Sequence, residues 1–254
     1  MNDLTGKTAL VSGAARGLGE SVARAIVRAG GQVLLTDILE DQGRAVAQKL
    51  GERARFRRLD VTQAADWERA VQTAEAELGP VSVLVNNAVR MQYSSFDALT
   101  EAEFRGVFEV NELGCFLGMK AVLGAMRRAG GGSIVNVSSI AALRGQGGKG
   151  QTAYAAAKAG LEGLMNDVAD AYGKDGIRVN CVAPGIIDTP MRNQAMLKAG
   201  VQPGTIDLTY KVSLPHEGDA WDIARAALFL AGPDGRYITG VMLPVDGGTV
   251  ARSH

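Results

Sequence analysis

Apolar residues in this chain fall into short runs, separated by stretches in which they recur at helical spacing. The runs lie near 8–12, 32–36, 54–59, 81–86, 133–138, 177–183 and 241–245. Val81-Ser-Val-Leu-Val85 and Ile134-Val-Asn-Val137 are nearly continuous, as suits strands covered on both faces. After the first run, Leu18, Val22, Ile26 and Ala29 repeat as one face of a helix that stops at Gly30-Gly31. Longer helical patterns run near 101–129 and 152–174. Strand and helix alternating in this way predict an α/β fold, a doubly wound parallel sheet of about seven strands with helices on both faces. No Pro/Ser-rich linker divides the chain, so a single domain over 1–254 is expected. A chain of 254 residues, 46% hydrophobic, can bury one large core.

The first strand–helix junction reads Gly13-Ala14-Ala15-Arg16-Gly17-Leu18-Gly19. Glycines there permit a tight turn and close backbone approach, and the helix N-terminus offers free N–H groups to a pyrophosphate. An ordinary glycine-rich turn would look similar; its place at the first junction favours the phosphate reading. Asp37 ends the second run, 18 residues beyond Gly19. An acid at this spacing accepts hydrogen bonds from an adenosine ribose and repels a 2′-phosphate. Arg16 pulls towards the phosphorylated cofactor, but Asp37 sits where the ribose should lie, so NAD is expected.

Tyr154 and Lys158 stand one helical turn apart in Tyr154-Ala-Ala-Ala-Lys158. An ammonium beside a phenol favours the phenolate and lowers its pKa. A phenol tuned in this way can exchange a proton with a reacting oxygen. On spacing alone, a half-buried aromatic beside a solvated lysine would be the plainer explanation.

The ordered set of segments decides the matter. Ser12-Gly13-Ala-Ala-Arg-Gly17-Leu-Gly19, Asp60-Val61-Thr62, Asn86-Asn87-Ala88, Asn111, Ile134-Val-Asn-Val-Ser138-Ser139, Tyr154-Ala-Ala-Ala-Lys158, Asn180-Cys-Val-Ala-Pro184-Gly185 with Thr189, and Val245-Asp246-Gly247-Gly248 follow one another along nearly the whole chain. In this the chain resembles the classical short-chain dehydrogenase/reductases, a Rossmann-type family, and within it the bacterial NAD-dependent hydroxysteroid dehydrogenases. The resemblance implies that Tyr154 is the general acid/base, that Lys158 lowers its pKa and binds the nicotinamide ribose, and that Ser139 bonds the substrate oxygen. It implies that Asn111, in the long helix from about Thr100, holds a water linking Lys158 to solvent. Gly13, Arg16, Gly17, Leu18 and Gly19 would cradle the pyrophosphate and Asp37 the ribose. Asp60 and Val61 would bracket the adenine, and Asn87 would lie along the cofactor. Ile187 and Thr189, just after Pro184-Gly185, would hold the carboxamide. A homotetramer is implied too, pairing the 101–129 and 152–174 helices across a two-fold axis, with a further contribution from about Tyr237 onward.

Three departures stand out. Ser12 replaces the usual threonine and keeps the hydroxyl. Val89 replaces the glycine usual after Asn-Asn-Ala and brings β-branched bulk near the cofactor ribose or the substrate mouth. The Ser139–Tyr154 interval is two residues longer than the common spacing, and the extra length falls in Gly145-Gln-Gly-Gly-Lys-Gly150.

Charge narrows the partners. With 27 basic and 27 acidic residues the chain has no net charge, and no basic stripe points to nucleic acid or a membrane surface. Arg53-Ala-Arg55-Phe-Arg57-Arg58 reads as a solvated strand edge. No signal pattern opens the chain, and no run reaches the ~18 apolar residues of a membrane span. Cys115 and Cys181 read as buried free thiols, which fits the cytoplasm. Two histidines build no metal cluster, so no catalytic metal is expected. A substrate lid is expected over 188–215. It is rich in Met, Leu and Val, with Arg192, Lys198, Asp207 and Lys211 its main fixed charges. The expected activity is hydride transfer between NAD(H) and an apolar cyclic, aryl or steroid-like secondary alcohol or ketone. The alternatives are a sugar or polyol dehydrogenase, a 3-oxoacyl-thioester reductase, and a nucleotide-sensing scaffold without chemistry.

Overall fold

The computed structural model describes residues 3–145, 150–198, 202, 205 and 212–252. Seven strands form one parallel sheet: β1 (Thr8–Ser12), β2 (Gln32–Asp37), β3 (Ala54–Arg58), β4 (Val81–Asn86), β5 (Gly132–Val137), β6 (Ile177–Pro184) and, after a separate pair, β9 (Met242–Val245). Their order is β3-β2-β1-β4-β5-β6-β9, so the winding reverses between β1 and β4. A crevice opens there, outside the carboxyl ends of the strands, where ligands of such sheets bind. The separate pair, β7 (Ile187–Asp188) and β8 (Gly218–Asp219), joins Ile187 to Gly218 and Asp188 to Asp219.

The core is double, as the two-residue strand period requires. Val11, Leu35, Val85 and Val137 point to one face, where they meet Val22 and Ile26 of α1 (Gly17–Arg28), Val46 of α2 (Glu40–Leu50) and Leu230 of α8 (Ala220–Ala231). Leu10, Leu34, Leu84 and Ile134 point to the other. There they meet Trp67 of α3 (Ala64–Glu77), Met119 of α5 (Gly114–Arg128) and Leu161 of α6 (Thr152–Tyr172). Each fully buried Leu or Ile contributes about 1.5–3 kcal/mol. β3 is one edge of the sheet, and two of its three arginines are matched by acids: Arg55 faces Glu77, and Arg58 faces Glu40 and Asp66, while Arg57 donates to Thr73 Oγ1.

One expected helix is broken. In place of a continuous 101–129 helix the chain forms α4 (Glu101–Phe108), a π-helical turn (Glu109–Leu113) and α5. Thr100 starts α4 with a reciprocal capping box to Glu103. Of the expected lid, α7 (Pro190–Lys198) and the segment from Val212 are described. The lid residues Val201, Ile206 to Tyr210 and Lys211, and the loop residues Gln146 to Lys149, lie outside the described residues. Among the described residues no helix is long and apolar enough to cross a membrane.

Candidate active site at the sheet's switch point

The glycine loop joins β1 to α1 and has a separate reason for each glycine. Gly13 and Gly17 both have left-handed φ, +64° and +61°. A Cβ on Gly13 would press on Ala88 and Asn87, and one on Gly19 would collide with the Gly13 carbonyl. A Cβ on Gly17 would meet nothing nearer than Pro190 Cδ, 3.7 Å away across the crevice. Arg16 occupies the N-cap of α1, is exposed, and makes no side-chain capping bond, so the first-turn N–H groups are left for a ligand. Leu18 turns towards the core.

The far side of the loop is pinned. Asn87 Nδ2 donates to the carbonyls of Ser12 (3.1 Å) and Gly13 (2.9 Å). The Ser12 hydroxyl accepts from the N–H groups of Asn87 (3.0 Å) and Ala88 (3.2 Å). Asp37 is held at the end of β2, Oδ2 accepting from Ala15 N–H (3.0 Å) and Oδ1 from Leu39 N–H (3.1 Å). Asp60 accepts from Thr62, and Val61 is buried against Gly114. Gly185 bonds Val245 and packs so closely on Asp246 that a Cβ would not fit. Thr189 Oγ1 accepts from Arg192 N–H at the start of α7. An open glycine cradle, an uncapped helix start and a carboxylate at the adjoining strand end are what a dinucleotide requires, so these residues fit the implied cofactor.

Ser139, Tyr154 and Lys158 meet where β5 and α6 approach this crevice. Ser139 and Tyr154 share a side-chain hydrogen bond. The neighbouring Ser138 is buried, its hydroxyl donating to the Lys158 carbonyl at 3.0 Å. Lys158 is 1% exposed, its Nζ donating to the Val137 carbonyl at 2.6 Å and lying 5.9 Å from the Tyr154 ring centroid. Burial raises the phenol of Tyr154 above its ordinary pKa, against the opposing pull of the Ser139 bond. Burial also pushes Lys158 down. The expected lowering of the phenol by the ammonium is therefore not what this geometry produces: desolvation of both groups outweighs their spacing.

Asn111 sits in the π-helical turn, a feature found frequently at functional sites. Its side chain is spoken for, since Oδ1 accepts from Arg90 N–H (2.8 Å) and Nδ2 donates to Arg90 O (2.9 Å). Its carbonyl accepts the Cys115 thiol at 3.2 Å. Any water relay would therefore use that main-chain carbonyl. Both cysteines are free and buried, their thiols pushed up to about 11 (Cys115) and about 12 (Cys181) mainly by burial. Val89, half-buried just before Arg90, is unstrained, because among the described residues only glycines have positive φ. Among those residues no three potential ligands cluster for a metal ion.

Sequence reasoning missed two features. Arg192 forms a two-pronged pair with Glu217 (2.9 and 2.8 Å), both side chains about four-fifths buried, joining α7 to the segment before β8. No motif signals a pair 25 residues apart. Tyr93, 56% exposed, lies close enough to Tyr154 to affect its ionisation. An exposed aromatic in the loop after β4 was its only signal.

A family model described as enoyl-(acyl carrier protein) reductase matches residues 13–250. The chain belongs to the short-chain dehydrogenase/reductase family of oxidoreductases, and its parallel sheet is the Rossmann-like one of that family. It is 40% identical over 248 residues to a 3-alpha-(or 20-beta)-hydroxysteroid dehydrogenase of Mycobacterium tuberculosis, covering 98% of this chain and 91% of that one. It is 41% identical over 254 residues to a trans-4-hydroxycyclohexanecarboxylate dehydrogenase of Sinomonas cyclohexanicum, covering 96% and 93%. A solved structure of a putative short-chain dehydrogenase/reductase from Burkholderia xenovorans superposes with a TM-score of 0.90 at 34% identity, covering all of both chains.

Proposed function

We propose that this protein uses NAD(H) to interconvert a secondary alcohol and its ketone, the substrate being apolar and cyclic, aryl-bearing or steroid-like. The observation that carries the reading is the Ser139–Tyr154 hydrogen bond over the buried Lys158, at the crevice edged by the Gly13–Gly19 cradle. The nicotinamide, when bound, accepts or supplies the hydride. In oxidation, Tyr154 takes the hydroxyl proton of the substrate as the hydride leaves carbon; in reduction it returns that proton to the carbonyl oxygen. Ser139 holds the same oxygen in place. Lys158 binds the nicotinamide ribose, and its charge counters the phenolate when that forms. Asn111 holds the relay water through its carbonyl. Asp37, fixed by two backbone N–H groups, favours NAD by repelling a 2′-phosphate.

The substrate class rests on the lid and on the relatives. Met191 and Leu197 of α7, and Leu214 beyond it, present apolar surface, and Arg192 is already matched by Glu217. Two relatives named for alicyclic alcohols point the same way. A panel of cyclic, aromatic and aliphatic alcohols with NAD and with NADP tests the reading. Strong preference for a phosphorylated sugar, or for NADP, would refute it. Tyr154→Phe should keep NADH binding, read by fluorescence, and lose about 10² or more in turnover. A second reading, an acyl-thioester reductase, draws on the description of the family model; activity on a 3-oxoacyl thioester with alcohols inert would select it. A scaffold without chemistry would show NADH binding and no turnover at all.

The protein is further read as a homotetramer of the cytoplasm. Exposed Leu113 and Phe116 line an apolar depression of about 390 Å³ that also involves Phe108 of α4 and Leu164 of α6, on the face expected to pair. Tyr237 is fully exposed where the second contact is expected. Closed two-fold symmetry is the usual solution; a monomer in light scattering at micromolar concentration would refute it.

A further inference from the structure

We propose that Arg192 and Glu217 form a latch that holds the start of α7 beside the glycine loop, and so sets how fast a bound dinucleotide leaves. The proposal rests on the dinucleotide part of the reading above and extends it to release. Pro190, the first residue of α7, faces Gly17 across the crevice, 3.7 Å from where a Cβ would stand. A pyrophosphate held on the N–H groups of that loop has the first turn of α7 beside it and leaves past it.

The two ends of the expected lid are held differently. At the far end the main chain is tied to the turn after β9. Gly247 O accepts from the N–H groups of Ser213 (2.8 Å) and Leu214 (3.0 Å), and Arg252 donates to Val212 O at 2.7 Å. Gly248, with left-handed φ of +83°, packs so closely on Ser213 that a Cβ would come within 2.8 Å of it. At the near end the bonds of the first turn are local. Arg192 N–H donates to Thr189 Oγ1, Asn193 N–H to Thr189 O, and Asn193 Nδ2 to Asp188 Oδ1.

The guanidinium of Arg192 reaches further. Its two-pronged pair with Glu217 crosses to the segment before β8, where Asp219 caps α8. That helix packs on α1, which begins at the glycine loop, and the Arg28 guanidinium of α1 lies 4.6 Å from the Trp221 ring centroid. The pair thus fastens α7 to the same body that carries the loop. Swinging α7 away would strip two mostly buried charges of their match, which opposes opening. Both prongs of Arg192 are engaged by the carboxylate, so its charge acts on the helix rather than on the pyrophosphate.

Stopped-flow fluorescence tests this by following NADH as excess ADP-ribose displaces it. Glu217→Gln should raise the NADH dissociation rate about tenfold and change the association rate little. The charge-swapped protein, Arg192→Glu with Glu217→Arg, should return close to the wild-type rate. Arg192→Lys keeps one prong and should fall between wild type and Glu217→Gln, which decides the matter if the swapped protein does not fold. An unchanged dissociation rate in Glu217→Gln would overturn the proposal. A folded charge-swapped protein that holds NADH less well than Glu217→Gln would also overturn it, and would make Arg192 a pyrophosphate anchor instead. A wild type that binds no NADH would refute the dinucleotide reading itself, and the proposal with it.

Discussion

Replacing Ser12 by alanine should loosen the phosphate loop more than the loss of one hydroxyl suggests. Ser12 ends β1, is 2% exposed, and its Oγ accepts from two backbone N–H groups, those of Asn87 and Ala88. Alanine leaves both donors without this acceptor in a place that water does not reach. Each buried donor left unmet costs about 1–3 kcal/mol. The two share one oxygen and cannot both hold it at full strength, so the sum is set at about 2–4 kcal/mol. In a chain of this size that corresponds to a fall in Tm of roughly 5–15 °C. The loop between these anchors is the proposed pyrophosphate cradle, so NADH affinity should fall by about tenfold, equivalent to ~1.4 kcal/mol of the loss reaching the site. Ser12→Thr keeps the acceptor and should stay within a few degrees of wild type. Circular dichroism melting and NADH fluorescence titration read the two effects. A Ser12→Ala protein with unchanged Tm and unchanged NADH affinity would refute the assignment.

Other consequences follow from buried charge. Because burial raises Tyr154, its phenol stays protonated through neutral pH; alcohol oxidation, which needs the phenolate, should climb with pH from 7 to 9 by up to about tenfold per unit, while ketone reduction stays nearly flat. An oxidation rate already level at pH 7 would contradict this. Glu217→Gln removes the carboxylate that matches Arg192. Complete burial would make that loss about 3–5 kcal/mol, and the partial exposure of both side chains reduces it to about 1–2 kcal/mol. The effect should appear as a raised substrate KM with kcat little changed, and Arg192→Met with Glu217→Met should recover much of it; a double variant as poor as the worse single one would count against the latch.

The inner strands of the sheet were legible because they are covered on both faces. Leu10 and Val11 point opposite ways and are both fully buried, so the apolar run shows no polar interruption. Gly13, Gly17 and Gly19 were legible because backbone angle and backbone approach admit few other residues there. The break in the 101–129 helix was not. Glu109-Val-Asn-Glu-Leu113 contains neither Pro nor Gly, and the cause of the π-turn is not evident from local sequence. What the turn does is visible only in three dimensions, where the Asn111 amide clasps both backbone groups of Arg90.

Tyr154 and Lys158 mark the limit of spacing as an argument. Four residues on a helix guarantee that the two side chains are neighbours; they say nothing of how much water either one loses. The sequence therefore led to a lowered phenol pKa, whereas the structure buries both groups, and each resists its charged form. The Val137 carbonyl, 2.6 Å from Lys158 Nζ, is a partner that favours the ammonium. It belongs to the main chain of β5, and no residue type could have announced it. Once Lys158 is held charged, the phenolate gains a counter-charge in the same low-dielectric place that made it costly. The proton-transfer group and its support are thus set against each other by burial, and the balance shifts with whatever else enters the crevice.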